Sequence, residues 1–377
     1  MSDADFYRLE GEFLEKYTIP LFLALVLGYA ATPVVRVIAV KIGAIDRPDP
    51  RKVHKGLMPR MGGLAVYLAF TAAVIISPAR AYPGIWGLLA GATVIVALGI
   101  LDDTRGLPPG VKLLGQILAA LSVIPFGIEV YYITNPLTGK MLFLGVLSVP
   151  LTLFWIVAVT NAVNLIDGLD GLAGGVSSIA ALTMAAVAWT QWGRSGTAAM
   201  TDMVMLSLIL VAATLGFLKH NFHPAKIFLG DTGSMFLGFT LAVMSIMSLT
   251  KSATAVSVIV PMVILGIPLL DTFFAIIRRY HKHRPIFQPD REHLHHQLMA
   301  MGLSHRQTVL VIYGLSAFLG INAVLLNLIS SNQALALLAV LAVVVIYSAN
   351  RLGVLGSSGR AGFKVTEGLK RQGSSKM

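Results

Sequence analysis

Apolar runs of roughly 17 to 25 residues, the length an α-helix needs to cross a hydrocarbon core, recur along almost the whole chain. Eleven such segments lie near residues 18–40, 61–78, 85–101, 112–127, 146–163, 172–190, 203–219, 233–250, 254–277, 306–328 and 333–350, separated by polar, Pro- or Gly-containing turns. The pattern predicts an all-α polytopic membrane protein of about 11 transmembrane helices, with its termini on opposite sides. Within 127–145, Tyr131, Tyr132, Asn135, Pro136, Thr138 and Gly139 interrupt the apolar residues, which predicts a short outward β-hairpin. From Arg351 to Met377 the chain is rich in Gly, Ser, Lys and Arg and reads as a disordered cytoplasmic tail.

Composition agrees with lipid as the solvent. The 377 residues are 56% hydrophobic and 12% charged, with a mean hydropathy of +0.77. The N-terminal residues before Tyr17 are mostly polar and hold Asp3, Asp5, Glu10, Glu12 and Glu15, unlike the basic start of a cleaved signal peptide. Charge sets the orientation. Of the 29 Lys and Arg, 22 fall in segments 41–60, 102–112, 164–171, 219–232, 278–306 and 351–377, all on one side of the predicted membrane. Because cations are retained on the cytoplasmic side, the N-terminus is expected outside and the C-terminus inside. The net charge of +11 is thus a topology signal, and the absence of interleaved aromatics argues against nucleic acid as a partner. With no cysteine, any metal site must use oxygen or imidazole ligands.

Candidate chemistry collects on the cytoplasmic side. Asp102 and Asp103 end the third span in GILDDTRGLPPG, Asp167 and Asp170 follow the fifth in NAVNLIDGLDGLAGG, and Asp231 opens the eighth in NFHPAKIFLGDTGS. Three acidic clusters on one face invite a shared hard cation, magnesium or manganese. Asp231-Thr232-Gly233 also fits an ordinary helix N-cap. The adjacent Asp102 and Asp103 repel one another and call for a metal or a basic partner. Asn161, Asn164, Asp167 and Asp170, spaced by three, would line one face of a helical turn.

Between Arg278 and Arg306 lie Arg279, Lys282, Arg284 and Arg291 together with His281, His283, His293, His295 and His296. Cations and imidazoles facing carboxylates suit a phosphate-rich substrate bridged by a metal. A positive-inside loop explains the Arg and Lys equally well, and a zinc site of His293, His295 and His296 is a further reading. Asp271, inside the ninth span, is a candidate structural ion-pair partner.

The blocks RKVHKGLMPRMGG, GILDDTRGLPPG, NAVNLIDGLDGLAGG, NFHPAKIFLGDTGSMFLG and PDREHLHHQL resemble, in order and spacing over residues 41–310, the motif series of the polyprenyl-phosphate N-acetylhexosamine-1-phosphate transferases. Members of that family move a sugar 1-phosphate from a UDP-sugar to a polyprenyl phosphate, release UMP and require magnesium. The resemblance implies eleven spans, an outside N-terminus and a homodimer. The phospho-N-acetylmuramoyl-pentapeptide transferases share the DD, NLxDGLDG and GDTG blocks but show three consecutive histidines. Here the run is His-Leu-His-His, and HKGLMPRMGG stands where KxGTPTMGG is expected. Both departures resemble the WecA/TagO-like branch, which uses UDP-N-acetylglucosamine and starts O-antigen, enterobacterial common antigen or teichoic acid.

Carried over residue by residue, the resemblance implies that Asp231 is the principal magnesium ligand and that Asp103 helps organise the metal, with manganese able to substitute. Asp102 would deprotonate or orient the acceptor phosphate, and Asp167 belongs with these catalytic carboxylates. Lys55, Asn164, Asp170, Asn221 and Phe228 would line the nucleotide pocket, while His293, His295, His296 and Arg291 would handle sugar and phosphate. Direct transfer and a phospho-aspartate intermediate both remain open. The expected organisation is one transferase domain over 1–350 in a bacterial cytoplasmic membrane, its catalytic loops facing the cytoplasm, followed by the 351–377 tail. A polytopic transporter is the alternative from another class, although only Arg36 and Asp271 lie well inside spans and no internal repeat is visible.

Overall fold

The computed structural model describes residues 3–46, 57–135, 140–195, 198–249, 259–281 and 293–351. Lys55, Arg291 and almost all of the predicted tail lie outside them. Among the described residues the chain is helical apart from two small antiparallel strand pairs. Its helices are α1 (Asp3–Lys41), α2 (Gly63–Ile76), α3 (Gly84–Arg105), α4 (Pro109–Leu121), α5 (Ser148–Leu165), α6 (Leu172–Ser195), α7 (Ala198–Asn221), α8 (Gly230–Leu249), α9 (Ile259–Ile264), α10 (Gly266–His281), α11 (Leu294–Ala300), α12 (His305–Leu328) and α13 (Ser331–Arg351).

Among the described residues, nine helical segments are long and apolar enough to cross a membrane. The other two expected spans take different forms. Segment 61–78 becomes the 14-residue α2. Segment 254–277 is divided at Leu265 into α9 and α10, and Pro268 falls in the first turn of α10, where a missing N–H breaks no helical bond. The expected hairpin within 127–145 forms from β3 (Tyr132–Thr134) and β4 (Met141–Phe143), paired antiparallel. A second pair, β1 (Ile45–Asp46) and β2 (Met58–Pro59), closes the 41–60 segment and was not anticipated.

The burial pattern is that of a bundle in lipid. Phe22, Val34, Phe154, Ile321, Val343 and Tyr347 are exposed on peripheral helices, where water would penalise them and hydrocarbon would not. The centre is α8, buried along nearly its whole length and packed by α2, α3, α5, α6 and α7. Small residues permit that approach, as in other membrane helix contacts. A Cβ on Gly63 would overlap the Gly233 backbone, and one on Gly99 would overlap the Thr232 backbone. Polar pairs tie the shell together: Asn161 donates to the Gln116 carbonyl at 2.7 Å across α5 and α4, and the Trp155 indole donates to Ser245 at 2.8 Å across α5 and α8.

The candidate active site

Helix polarity brings the chemistry to one end of the bundle. The C-terminal ends of α3, α5 and α7 meet the N-terminal ends of α4, α8 and α12 around a cavity of about 450 Å³. Asn164, Asp167, Asp170, Asn221, Phe228, Asp231, His295 and His296 line it, so eight of the residues singled out in the sequence converge. Asp102 and Asp103 stand behind that wall. His293 turns away from it, and Lys55 and Arg291 lie outside the described residues.

Asp231 is not the cap of its helix. The first N–H groups of α8 are satisfied by the Asp103 carboxylate of α3, which accepts from the Asp231 N–H at 3.0 Å, the Thr232 N–H at 3.0 Å and the Thr232 hydroxyl at 2.7 Å. An anion at this position also complements the positive end of the helix. Gly230 adopts a φ of +75°, and a Cβ there would lie 2.5 Å from the Asp103 carboxylate, so glycine is required for the close approach. Asp231 is thereby left free to face the cavity. Its carboxylate accepts from the Asn164 amide at 2.6 Å and from the Arg60 guanidinium at 3.0 Å, and lies 3.6 Å from Lys112 Nζ.

Arg60 is the hub of the cluster. The β1–β2 pair delivers it beside Asp46 at 3.6 Å, Asp103 at 3.2 Å and Asp231 at 3.0 Å. Although burial pulls its pKa down, these carboxylates raise it on balance and hold the guanidinium charged. Lys112, at the start of α4, forms an ion pair with Asp102, which also accepts from the Leu107 N–H at 2.7 Å. The adjacent Asp102 and Asp103 thus point to different partners. Neither cation was assigned a role from sequence, because a loop Arg and a loop Lys are indistinguishable there from topology charges.

Asp46, Asp102, Asp103, Asp167 and Asp231 outnumber the two cations among them. Burial first, and then the charge of Asp231, push the Asp167 carboxyl up to about 8 against the pull of Arg60. An unfolded chain would release that proton near 3.8, so between the two values the native state binds the extra proton. This contribution to stability is present below the unfolded value and is lost as pH rises toward 8. In metal-free protein the thermal midpoint is therefore expected to fall from about pH 5 to about pH 8, and Asp167→Asn to remove that slope. An unchanged slope in the variant would assign the titration elsewhere.

The predicted polar stripe is only half helical. Asn161 and Asn164 belong to α5, whereas Asp167 and Asp170 lie on the turn after it. Asp170 accepts from the Ala225 N–H at 3.1 Å and lies 2.8 Å from His223 Nδ1. Asn221 braces the wall, accepting from the Gly171 N–H at 3.0 Å and donating to the Ile227 carbonyl at 2.9 Å.

The histidine run splits by role. His293 is the residue preceding α11, and its Nδ1 lies 2.8 Å from Asp271, which also accepts from the Leu294 N–H at 2.9 Å. Asp271, a candidate structural ion-pair partner from the sequence, thus finds its partner in His293. His295 and His296 line the cavity. A Cβ on Gly168 would lie 2.5 Å from His295 Nε2, so the glycine of the DGLDG block lets the imidazole seat against the turn. Burial, reinforced by His296, pushes His295 down to about 3 and keeps it neutral. Among the described residues, carboxylate and imidazole atoms converge within 4.8 Å at Asp170, His223 and His305 and not at the three histidines of the run.

Comparison with known proteins agrees with this geometry. Residues 85–249, from α3 to α8, match the model of glycosyl transferase family 4, a stretch that holds Asp102, Asp103, Lys112, Asn164, Asp167, Asp170, Asn221 and Asp231. A Bacillus subtilis protein named a probable undecaprenyl-phosphate N-acetylglucosaminyl 1-phosphate transferase is 42% identical over 84% of this chain and 86% of its own length. The decaprenyl-phosphate N-acetylglucosaminephosphotransferase of Mycobacterium tuberculosis is 36% identical over 85% and 86%. The undecaprenyl-phosphate alpha-N-acetylglucosaminyl 1-phosphate transferase of Escherichia coli K12 is 32% identical over 78% of each chain. With a buried carboxylate cluster at the span ends and relatives matching along most of its length, the chain belongs to glycosyl transferase family 4.

Proposed function

We propose that the protein transfers N-acetylglucosamine 1-phosphate from UDP-N-acetylglucosamine to undecaprenyl phosphate, releasing UMP and making the first lipid-linked intermediate of a cell-envelope polysaccharide. The observation that carries this reading is the cavity at one end of a lipid-embedded bundle, with Asp231 held open to it by a cap borrowed from α3. Its volume suits a nucleotide-sized ligand. Its position at span ends gives a water-soluble donor and a membrane-bound acceptor access to the same carboxylates. The surplus of cations in the neighbouring loops supports a cytoplasmic face, where the nucleotide donor is made.

The donor set fits a hard divalent ion. Carboxylates outnumber the local cations, a surplus of negative charge that a divalent ion would offset. Asp231 would hold magnesium, with manganese as a substitute. Asp103, both of whose oxygens are engaged by α8, would organise the site by fixing Asp231 and Arg60. A bound magnesium ion would supply charge neutralisation on the donor pyrophosphate.

The chain's own residues do the rest. Phe228 offers a face for uracil, with Asn221 and Asp170 beside it. Neutral His295, with His296 beside it, donates to sugar and phosphate oxygens. Arg60 and Lys112 draw phosphate charge toward Asp231, and Asp102, paired with Lys112, orients the acceptor. An acceptor phosphate oxygen bonds to the sugar-linked phosphorus as its bond to the UMP oxygen breaks. One pyrophosphate replaces another, so positioning and charge neutralisation supply most of the rate.

A donor panel separates the two branches of the family. With undecaprenyl phosphate and magnesium, UDP-N-acetylglucosamine is expected to release UMP and the muramoyl-pentapeptide nucleotide is not. Turnover of the pentapeptide donor alone would move the protein to the peptidoglycan branch.

A further inference from the structure

At the rim of the cavity, beside the proposed nucleotide pocket that Asp170 lines, His223 and His305 meet that carboxylate in one cluster. The ligand atoms of Asp170, His223 and His305 all lie within 4.8 Å of one another, although the residues come from the turn after α5, the loop after α7 and the start of α12. The two imidazoles stack at a centroid distance of 4.2 Å and an interplanar angle of 26°. His223 Nδ1 sits 2.8 Å from Asp170, so the pair is already seated.

His305 is the informative member. Both of its ring nitrogens are shielded from solvent, and its polar contact is a weak one to the Asp170 backbone. Leaving such a group unsatisfied costs free energy unless a ligand completes it. Helix capping does not explain it, because Ser304 and Gln307 already form the capping box of α12. The surrounding frame is also fixed: Arg306 donates to the His223 carbonyl at 3.1 Å, and the Ala225 N–H donates to Asp170 at 3.1 Å. Those bonds orient the ligand-bearing loop without using an imidazole nitrogen.

We infer that Asp170, His223 and His305 form a site for a transition-metal ion of the zinc class, distinct from the magnesium position at Asp231. Two imidazoles and one carboxylate are a set that zinc accepts and magnesium does not favour. The group spans more than the bonding radius of such an ion, so small side-chain rotations close it, with the His223–Asp170 hydrogen bond giving way to coordination. The remaining coordination position faces the cavity, where water completes the shell. The inference does not depend on the transferase reading, since it rests on residues that reading does not require to touch a metal.

Cobalt(II) is a visible probe for such a site. Titrating the purified full chain in detergent, without nucleotide, is expected to produce the d–d bands of a tetrahedral ion at one equivalent, abolished by competing zinc. His223→Gln and His305→Gln should each weaken binding by more than roughly tenfold, while Asp231→Asn leaves it unchanged. His223 is half-exposed, so its replacement keeps the test sound even if the His305 variant folds poorly. Absent bands in the wild type would overturn the site, as would wild-type affinity in His223→Gln or bands lost only in Asp231→Asn.

Discussion

Asp231→Asn is expected to lower the rate of transfer by on the order of a thousandfold or more while the protein inserts and purifies like the wild type. Both halves follow from the site. Asp231 faces the cavity between Asn164, Arg60 and Lys112, so loss of its charge would remove the proposed anchor for a divalent ion and its pyrophosphate. The N-terminus of α8 depends instead on Asp103, which the substitution leaves in place. Because Asp231 pairs with Arg60 and Lys112, removing its charge should lower metal-free stability modestly while the fold persists. A variant that turns over near the wild-type rate would remove Asp231 from the reaction, and one that fails to fold would make its role structural.

Arg60→Ala is the second substitution with a large expected effect, and here activity and stability should fall together. The guanidinium bridges Asp46, Asp103 and Asp231, which otherwise repel one another across a half-buried site. Uncompensated charges of this kind cost several kcal/mol when fully buried, and with Arg60 partly exposed a loss of ~2 kcal/mol is expected. Transfer should drop by roughly a hundredfold, because Asp231 loses its orientation along with its partner. Arg60→Lys should recover part of the stability and less of the activity, since one ammonium cannot imitate a planar fork among three carboxylates. Denaturation midpoints and initial rates on the same preparations check both effects, and full activity in Arg60→Ala would remove Arg60 from the site.

The comparison of sequence with structure turns on what each signal encodes. Span-length hydropathy located nine of the eleven predicted segments as long helices, because burial in lipid acts on average composition. Two segments are not single long helices: α2 stops at Ser77 ahead of Pro78, and the 254–277 segment divides at Leu265 ahead of Pro268. The carboxylates were legible as clusters at span ends. Their division of labour was not, since only the fold sends Asp103 to the α8 terminus and Asp102 to Lys112. Arg60, Lys112, His223 and His305 carry no local signature. Arg60 and Lys112 look like topology charges, His223 sits inside a block quoted for other residues, and His305 meets the site only because α12 begins there.

The central claim is the transfer of a sugar 1-phosphate, and it is tested most directly by following the donor's sugar-linked phosphorus. Purified protein in detergent would be given magnesium, undecaprenyl phosphate and UDP-N-acetylglucosamine carrying radioactive phosphorus next to the sugar. The account predicts that the label enters the lipid fraction, that UMP is the soluble product, and that Asp231→Asn abolishes both. Release of labelled UDP with unlabelled lipid would show transfer of the sugar alone, and that result would contradict the account.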